Sequence, residues 1–208
     1  MLNNYTTTND GVIKQIEYTP YVYDETYTDN RYTNKPTSDI MSYLRLGYII
    51  GSIGHVPNSI LDVGYGSGNF LQTCTGFIKD VYGNDIPPAY PLPKEITYVD
   101  DITNLEVDVI TFFDSLEHFP DIEFVRDLKC KYIVISLPWC YNGHDDEWFS
   151  NWKHRREDEH LYHFTETSLT TFMQNRGYDL INYSNLEDKI RVDVNLTPNI
   201  LTACFKKR

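Results

Sequence analysis

The 208-residue chain is 41% hydrophobic and 23% charged, the composition of one folded domain rather than of a disordered or membrane-spanning protein. Eighteen basic against thirty acidic residues leave a formal charge of −12, which argues against non-specific binding to nucleic acid or to an anionic membrane. No apolar run approaches the ~20 residues of a transmembrane helix, and the opening MLNNYTTTND lacks the regions of a signal peptide.

Residues 1–35 are polar and hold six of the seventeen tyrosines (Tyr5, Tyr18, Tyr21, Tyr23, Tyr27, Tyr32) without a helical period. They read as a tail anchored by its rings or as a flap over a ligand. Residues 36–208 read as the main domain, and deleting residues 1–34 is expected to leave it folded, because the sheet pattern begins only near Ser59. A helix opens it: Pro36 suits a first turn, Thr37 or Ser38 can cap it, and Met41, Leu44, Leu46, Tyr48, Ile49, Ile50 and Ile53 line its buried faces before Gly54 and Pro57. Short apolar runs at 60–63, 80–85, 96–99, 107–113 and 132–136 then alternate with compact connections, which indicates a parallel sheet covered on both faces. Phe70, Cys74, Phe77 and Ile78 fall on one helical face after the first strand. Pro87, Pro88, Pro91 and Pro93 exclude a helix after the second. A last helix, capped by Thr165, striped by Leu169, Phe172 and Met173 and stopped by Gly177, precedes strands at 178–183 and 200–205. The four cysteines form no CxxC pair, so reduced thiols and a cytoplasmic setting are expected.

The strongest local signal is Ile60-Leu61-Asp62-Val63-Gly64-Tyr65-Gly66-Ser67-Gly68, three glycines between a strand and a helix that let a ligand touch the backbone. Asn69 stands where the dinucleotide fingerprint needs its last glycine, and Asp62 is better placed beside a cation than beside a pyrophosphate. Asp85 ends the second strand, where a doubly wound fold places a carboxylate for ribose hydroxyls. Asp100-Asp101-Ile102 follows the third strand, and Asp114-Ser115-Leu116-Glu117-His118 the fourth.

The order ILDVGYGSGNF, VYGND, VDDI, DVITFFDSLEHFPD and YIVISLPW resembles the class I S-adenosylmethionine-dependent methyltransferases of the small-molecule type, over about residues 55–208. The resemblance implies a Rossmann-like, doubly wound α/β fold: seven strands, mostly parallel with an antiparallel last strand, and helices on both faces. It implies S-adenosyl-L-methionine as cofactor and S-adenosyl-L-homocysteine as product. Asp62, Gly64, Tyr65, Gly66 and Gly68 would lie against the methionine part and ribose, Asp85 and Ile86 at the ribose hydroxyls, and Asp101 and Ile102 at adenine. Asp114, Ser115 and His118 would border the sulfonium and the acceptor. Two features depart from the family pattern: the proline-rich 87–93 segment and residues 138–164.

Residues 138–164 hold all three tryptophans and four of the six histidines, and follow the fifth strand's carboxyl end as an acceptor-side lid. Trp148 and Trp152 can stack on an acceptor, and Arg155 and Arg156 can bind an anionic group. His160 or His163 is the expected base for an oxygen acceptor, with His118 as competitor. The rival reading is a lid whose tryptophans pack on the sheet and whose charges pair with one another. Cys140, His144, His154, His160 and His163 are zinc-type ligands, but no cysteine pair accompanies them and Lys153, Arg155 and Arg156 lie among them, so no metal is expected. Asp85-Ile86-Pro87-Pro88 and Ser136-Leu137-Pro138-Trp139 are similar to the proline tetrad of amino-methylating enzymes, yet that tetrad belongs after the fourth strand, so a nucleic-acid substrate is not expected. The expected activity is methyl transfer to a small polar acceptor such as a sugar or sugar nucleotide, with no membrane partner and a homo-oligomer left open. A non-catalytic cofactor-binding module and a methyltransferase acting on a macromolecule are the alternatives.

Overall fold

The computed structural model describes residues 3–21, 35–86, 90–191 and 198–208, so Tyr23, Tyr27, Tyr32, Pro87 and Pro88 lie outside the described residues. In chain order it places β1 (Tyr5–Thr7), β2 (Ile13–Gln15), α1 (Lys35–Ile53), β3 (Ser59–Val63), α2 (Asn69–Cys74), β4 (Asp80–Asn84), β5 (Thr97–Tyr98) and β6 (Glu106–Phe113). Then come β7 (Lys129–Pro138), α3 (Asp146–Asn151), β8 (Tyr162–His163), α4 (Glu166–Asn175), β9 (Tyr178–Ser184) and β10 (Ile200–Lys207).

The seven expected strands form one sheet in the order β5-β4-β3-β6-β7-β10-β9. Pairs from β5 through β7 are parallel, and β10 runs antiparallel to both its neighbours. The fold is therefore the doubly wound α/β sheet expected. Strand β6 alternates its faces: Val109 and Phe113 pack with α1 and α2 residues such as Ile49, Phe70 and Leu71, whereas Ile110 and Phe112 pack with Leu169, Phe172 and Met173 of α4. Thr165 caps α4 through a reciprocal pair with Ser168, and Gly177 takes φ +89° just past its end. One expectation fails. Helix α2 stops at Cys74, so Phe77 leaves the apolar face and lies exposed.

Sequence periodicity did not reveal a second sheet, β1-β2-β8, because its strands are two or three residues long. Ile13 pairs with His163 and Lys14 with Tyr162, which docks the amino-terminal hairpin on the 138–164 segment. Gln15 and Asp158 exchange two hydrogen bonds, Nε2 to Oδ1 at 2.9 Å and backbone N–H to Oε1 at 3.0 Å. Tyr5 and Ile13 join Cys140 and Phe149 in a small core of their own, and Val12 enters the main core beside α4. The base of the 138–164 segment is closed where the Cys140 N–H donates to the carbonyl of Phe164. All four cysteines are free and buried, and no helix among the described residues is long and apolar enough to cross a membrane.

The chain winds outward from β3 to β5 and then returns across β3 to β6. A crevice opens at the carboxyl ends of strands where the winding reverses, here between β3 and β6, where open α/β sheets take ligands.

Candidate active site

The glycine loop and the acid of the neighbouring strand meet at that edge. The Gly66 amide donates to Asp85 Oδ2 at 2.7 Å, and the Ile86 amide to Oδ1 at 2.8 Å. Burial pushes the Asp85 carboxyl above the ordinary range, opposed by these two amides. Gly64 must be glycine twice over: its φ is +79°, and a Cβ there would sit 2.6 Å from Cβ of Ser115. Ser115 is itself fixed, its hydroxyl donating to the carbonyl of Val63 at 2.6 Å. The β3 loop is thus packed tightly on the β6 loop.

Asp62 lies beneath the loop, almost wholly buried, and accepts from the Thr111 hydroxyl at 2.6 Å. Burial raises its pKa to about 7 against that hydrogen bond. The folded carboxyl therefore keeps a proton that the unfolded chain releases near pH 4. Its contribution to stability is complete below about pH 4 and is lost as pH rises toward about 7, by roughly 3–4 kcal/mol at most. Asp62→Asn, which retains an oxygen for Thr111, should flatten the fall in stability between those pH values. Urea unfolding at several pH values checks it, and an unchanged slope would assign the pH dependence to other groups.

Toward β5, Tyr65 is buried and donates to the carbonyl of Tyr90 at 2.6 Å, while Tyr98 donates to the carbonyl of Asp85 at 2.9 Å. The exposed Asp101 carboxylate is turned back on its own loop by Thr103 and Asn104, hydrogen bonds that hold its pKa down. Ile102 packs against the main core.

Asp114 sits in a left-handed conformation, φ +54°, inside an ion network that sequence reasoning missed. Arg45 from α1 contacts Asp114 at 3.2 Å and Glu187 at 2.7 Å, and Arg191 binds both acids. Glu187 is fully buried and also accepts from the Ser136 hydroxyl at 2.8 Å. Burial alone would raise the Asp114 pKa, but Arg191 and Arg45 outweigh it and hold the carboxyl well below the ordinary range. The available signal was Arg45, the lone charge in the run from Ile40 to Ile53. Its guanidinium lies 4.2 Å from the centre of the Phe113 ring.

The lid candidates divide into separate places. Trp148 and Trp152 stack on each other with ring centres 5.2 Å apart, against the small core of Tyr5 and Phe149. Arg155 pairs with Glu157 at 2.7 Å and Arg156 with Glu159 at 3.0 Å, so both guanidinium groups are engaged within the 138–164 segment. His163 is enclosed by the rings of Tyr5, Phe149 and Trp152, and burial brings its pKa down to about 3. His154 reaches Asn199 at 2.7 Å. His160, buried and brought down to about 2 chiefly by desolvation, meets the partly exposed His118 edge to face at 4.7 Å. The Leu161 amide donates to the carbonyl of Glu117 at 2.8 Å, tying the 138–164 segment to the turn after β6. The structure thus brings His118 and His160 together and leaves His163 elsewhere.

This architecture recurs in solved proteins of low sequence identity. A magnesium protoporphyrin IX methyltransferase from Synechocystis PCC 6803 with bound S-adenosylhomocysteine matches with TM-score 0.58 at 14% identity, over 92% of this chain and 91% of that one. The 1,6-didemethyltoxoflavin-N1-methyltransferase of Burkholderia thailandensis matches with TM-score 0.59 at 14% identity, over 98% of this chain and 99% of that one. The plantazolicin methyltransferase BpumL, in complex with a triazolic desmethyl analogue and SAH, gives 0.57 at 18% identity over 88% and 89%. At such identities the likeness shows the fold. No curated protein matches the chain in sequence. A family profile described as a methyltransferase domain does match, over residues 44–183. That stretch runs from α1 through β3, β6 and the 138–164 segment to β9, and the chain accordingly belongs to the class I S-adenosylmethionine-dependent methyltransferases.

Proposed function

We propose that the crevice binds S-adenosylmethionine and transfers its methyl group to a small polar acceptor, with sugars and sugar nucleotides among the first to test. The observation that carries the reading is the 2.7 Å contact of the Gly66 amide with Asp85, which brings loop backbone and ribose-type acid to one point. In this reading Asp85 and Ile86 hold the ribose hydroxyls, and Gly64, Tyr65, Gly66 and Gly68 face the methionine part above Asp62. Asp101 and Ile102 flank adenine. Asp114 and Ser115 border the acceptor, with Asp114 fixed between two arginines rather than offered to the sulfonium. The acceptor atom attacks the methyl carbon in line as the carbon–sulfur bond breaks, so placement supplies much of the acceleration. Proton removal from an acceptor takes place where His118 and His160 meet.

The three relatives named above support a small-molecule acceptor, since each is described by such a compound. The buried reduced thiols fit a reducing compartment such as the cytoplasm. Calorimetry with S-adenosylhomocysteine should show saturable binding, and a metabolite screen with tritiated cofactor, run beside Gly66→Arg, should identify the acceptor. Binding without transfer to any small molecule would favour a macromolecular acceptor or a module without turnover. Asp85→Ala should weaken cofactor binding by about 1–3 kcal/mol, roughly 5- to 150-fold, the range for losing a hydrogen bond to a charged group. Equal affinity in a folded variant would mean that another group holds the ribose.

A further inference from the structure

Glu117 is the anomaly of the crevice. It is 1% exposed, and neither carboxylate oxygen has a hydrogen-bond partner in another of the described residues. A buried carboxylate without partners costs several kcal/mol unless something else neutralises it. Its Oε1 lies 3.8 Å from Nε2 of His118, and a ligand atom from each of Glu117, His118 and His160 falls within 4.8 Å of the others. His160 is oriented from behind: its Nδ1 lies 2.8 Å from the carbonyl of His154, which only accepts, so Nδ1 carries the proton and Nε2 keeps its lone pair. That back-bonding to a carbonyl is how metal-binding imidazoles are fixed.

We infer that Glu117, His118 and His160 form a binding site for a divalent first-row transition cation of the zinc, iron or manganese type. Two imidazoles and one carboxylate suit such an ion better than magnesium or calcium, which favour all-oxygen sites. A cation centred among the three atoms would lie at most about 2.8 Å from each, so bonds of about 2.0–2.2 Å need each side chain to close in by roughly 0.7 Å. The partial exposure of His118 gives access from solvent. Three protein ligands leave positions open for water or an acceptor oxygen. Resting on the function proposed above, the site selects acceptors that present a hydroxyl or carboxylate oxygen. A hydroxyl bound there loses its proton to solvent more readily. Its oxygen then bonds to the methyl carbon while the carbon–sulfur bonding pair stays on sulfur.

The test is a titration of the metal-free full chain with Co²⁺, read by visible absorption, which needs no substrate or turnover. One equivalent should bind with new d–d bands, Zn²⁺ should displace it, and excess Mg²⁺ should not. Glu117→Gln and His160→Gln, shown folded by circular dichroism, should each weaken Co²⁺ binding at least tenfold while retaining binding of S-adenosylhomocysteine. Should either fail to fold, His118→Ala carries the same expectation. Absence of the bands, displacement by Mg²⁺, or undiminished Co²⁺ binding in the folded variants overturns the site. Co²⁺ binding in a protein that does not bind S-adenosylhomocysteine would instead remove the proposed function and leave the cation site standing.

Discussion

Glu187→Ala is expected to destabilise the fold by about 3–5 kcal/mol, the usual effect of removing one member of a buried ion pair. Glu187 is the shared partner of Arg45, Arg191 and the Ser136 hydroxyl. Its loss leaves Arg45, only 13% exposed and lodged against Phe113, with Asp114 as its remaining counter-ion. For a chain of this size each kcal/mol shifts the thermal midpoint by about 2–4 °C, so a fall of roughly 6–20 °C should be seen by calorimetry. The double variant Arg45→Leu with Glu187→Leu should recover most of it. Replacing a buried ion pair by apolar groups of similar size is often neutral, whereas orphaning one member is not. Ser136 keeps Thr202 at 3.0 Å as an alternative partner in that background. If the single and double variants lose stability equally, the network is a packing element whose charges contribute little.

Tyr5→Ala should bring a loss of similar size, about 3–5 kcal/mol by comparison with other buried aromatic truncations. The ring is 4% exposed and packs edge to face on Phe149 at 5.1 Å, with His163 at 5.7 Å. Removing it opens a cavity between the amino-terminal hairpin and the 138–164 segment, in the small sheet rather than at the β3 and β4 ends that carry Gly66 and Asp85. Urea unfolding should therefore show the loss while calorimetry finds cofactor affinity within a few-fold of the parent. Unchanged stability would mean that the hairpin rests on the lid without supporting it. The same contacts bear on the expected tolerance of truncation: deleting residues 1–34 removes Tyr5, Val12 and Ile13 from two cores and strips β8 of the one strand partner it has among the described residues.

What the sequence determined by itself is the part of the protein whose physics is local. Strand β6 reads as buried because five of the seven residues from Val107 to Phe113 are apolar, as expected of a strand covered on both faces. The Gly64–Gly68 turn, Thr165 as helix cap and Gly177 as helix stop follow from backbone conformations that only certain residues adopt cheaply. Asp85 was legible because strand, turn and crossover lengths repeat in this fold, so the acid's distance from the loop is set by chain geometry. Tertiary structure decided everything that depends on side chains meeting across the chain. Arg45 and Glu187 are 142 residues apart, Gln15 and Asp158 143, and no window of sequence contains either pair. The histidines show the same division. His160 and His163 look equivalent along the chain, but β8 turns His163 into the aromatic core with Tyr5 and leaves His160 facing Glu117 and His118. Only two residues separate them in sequence, and the pairing of a two-residue strand assigns them to different surroundings.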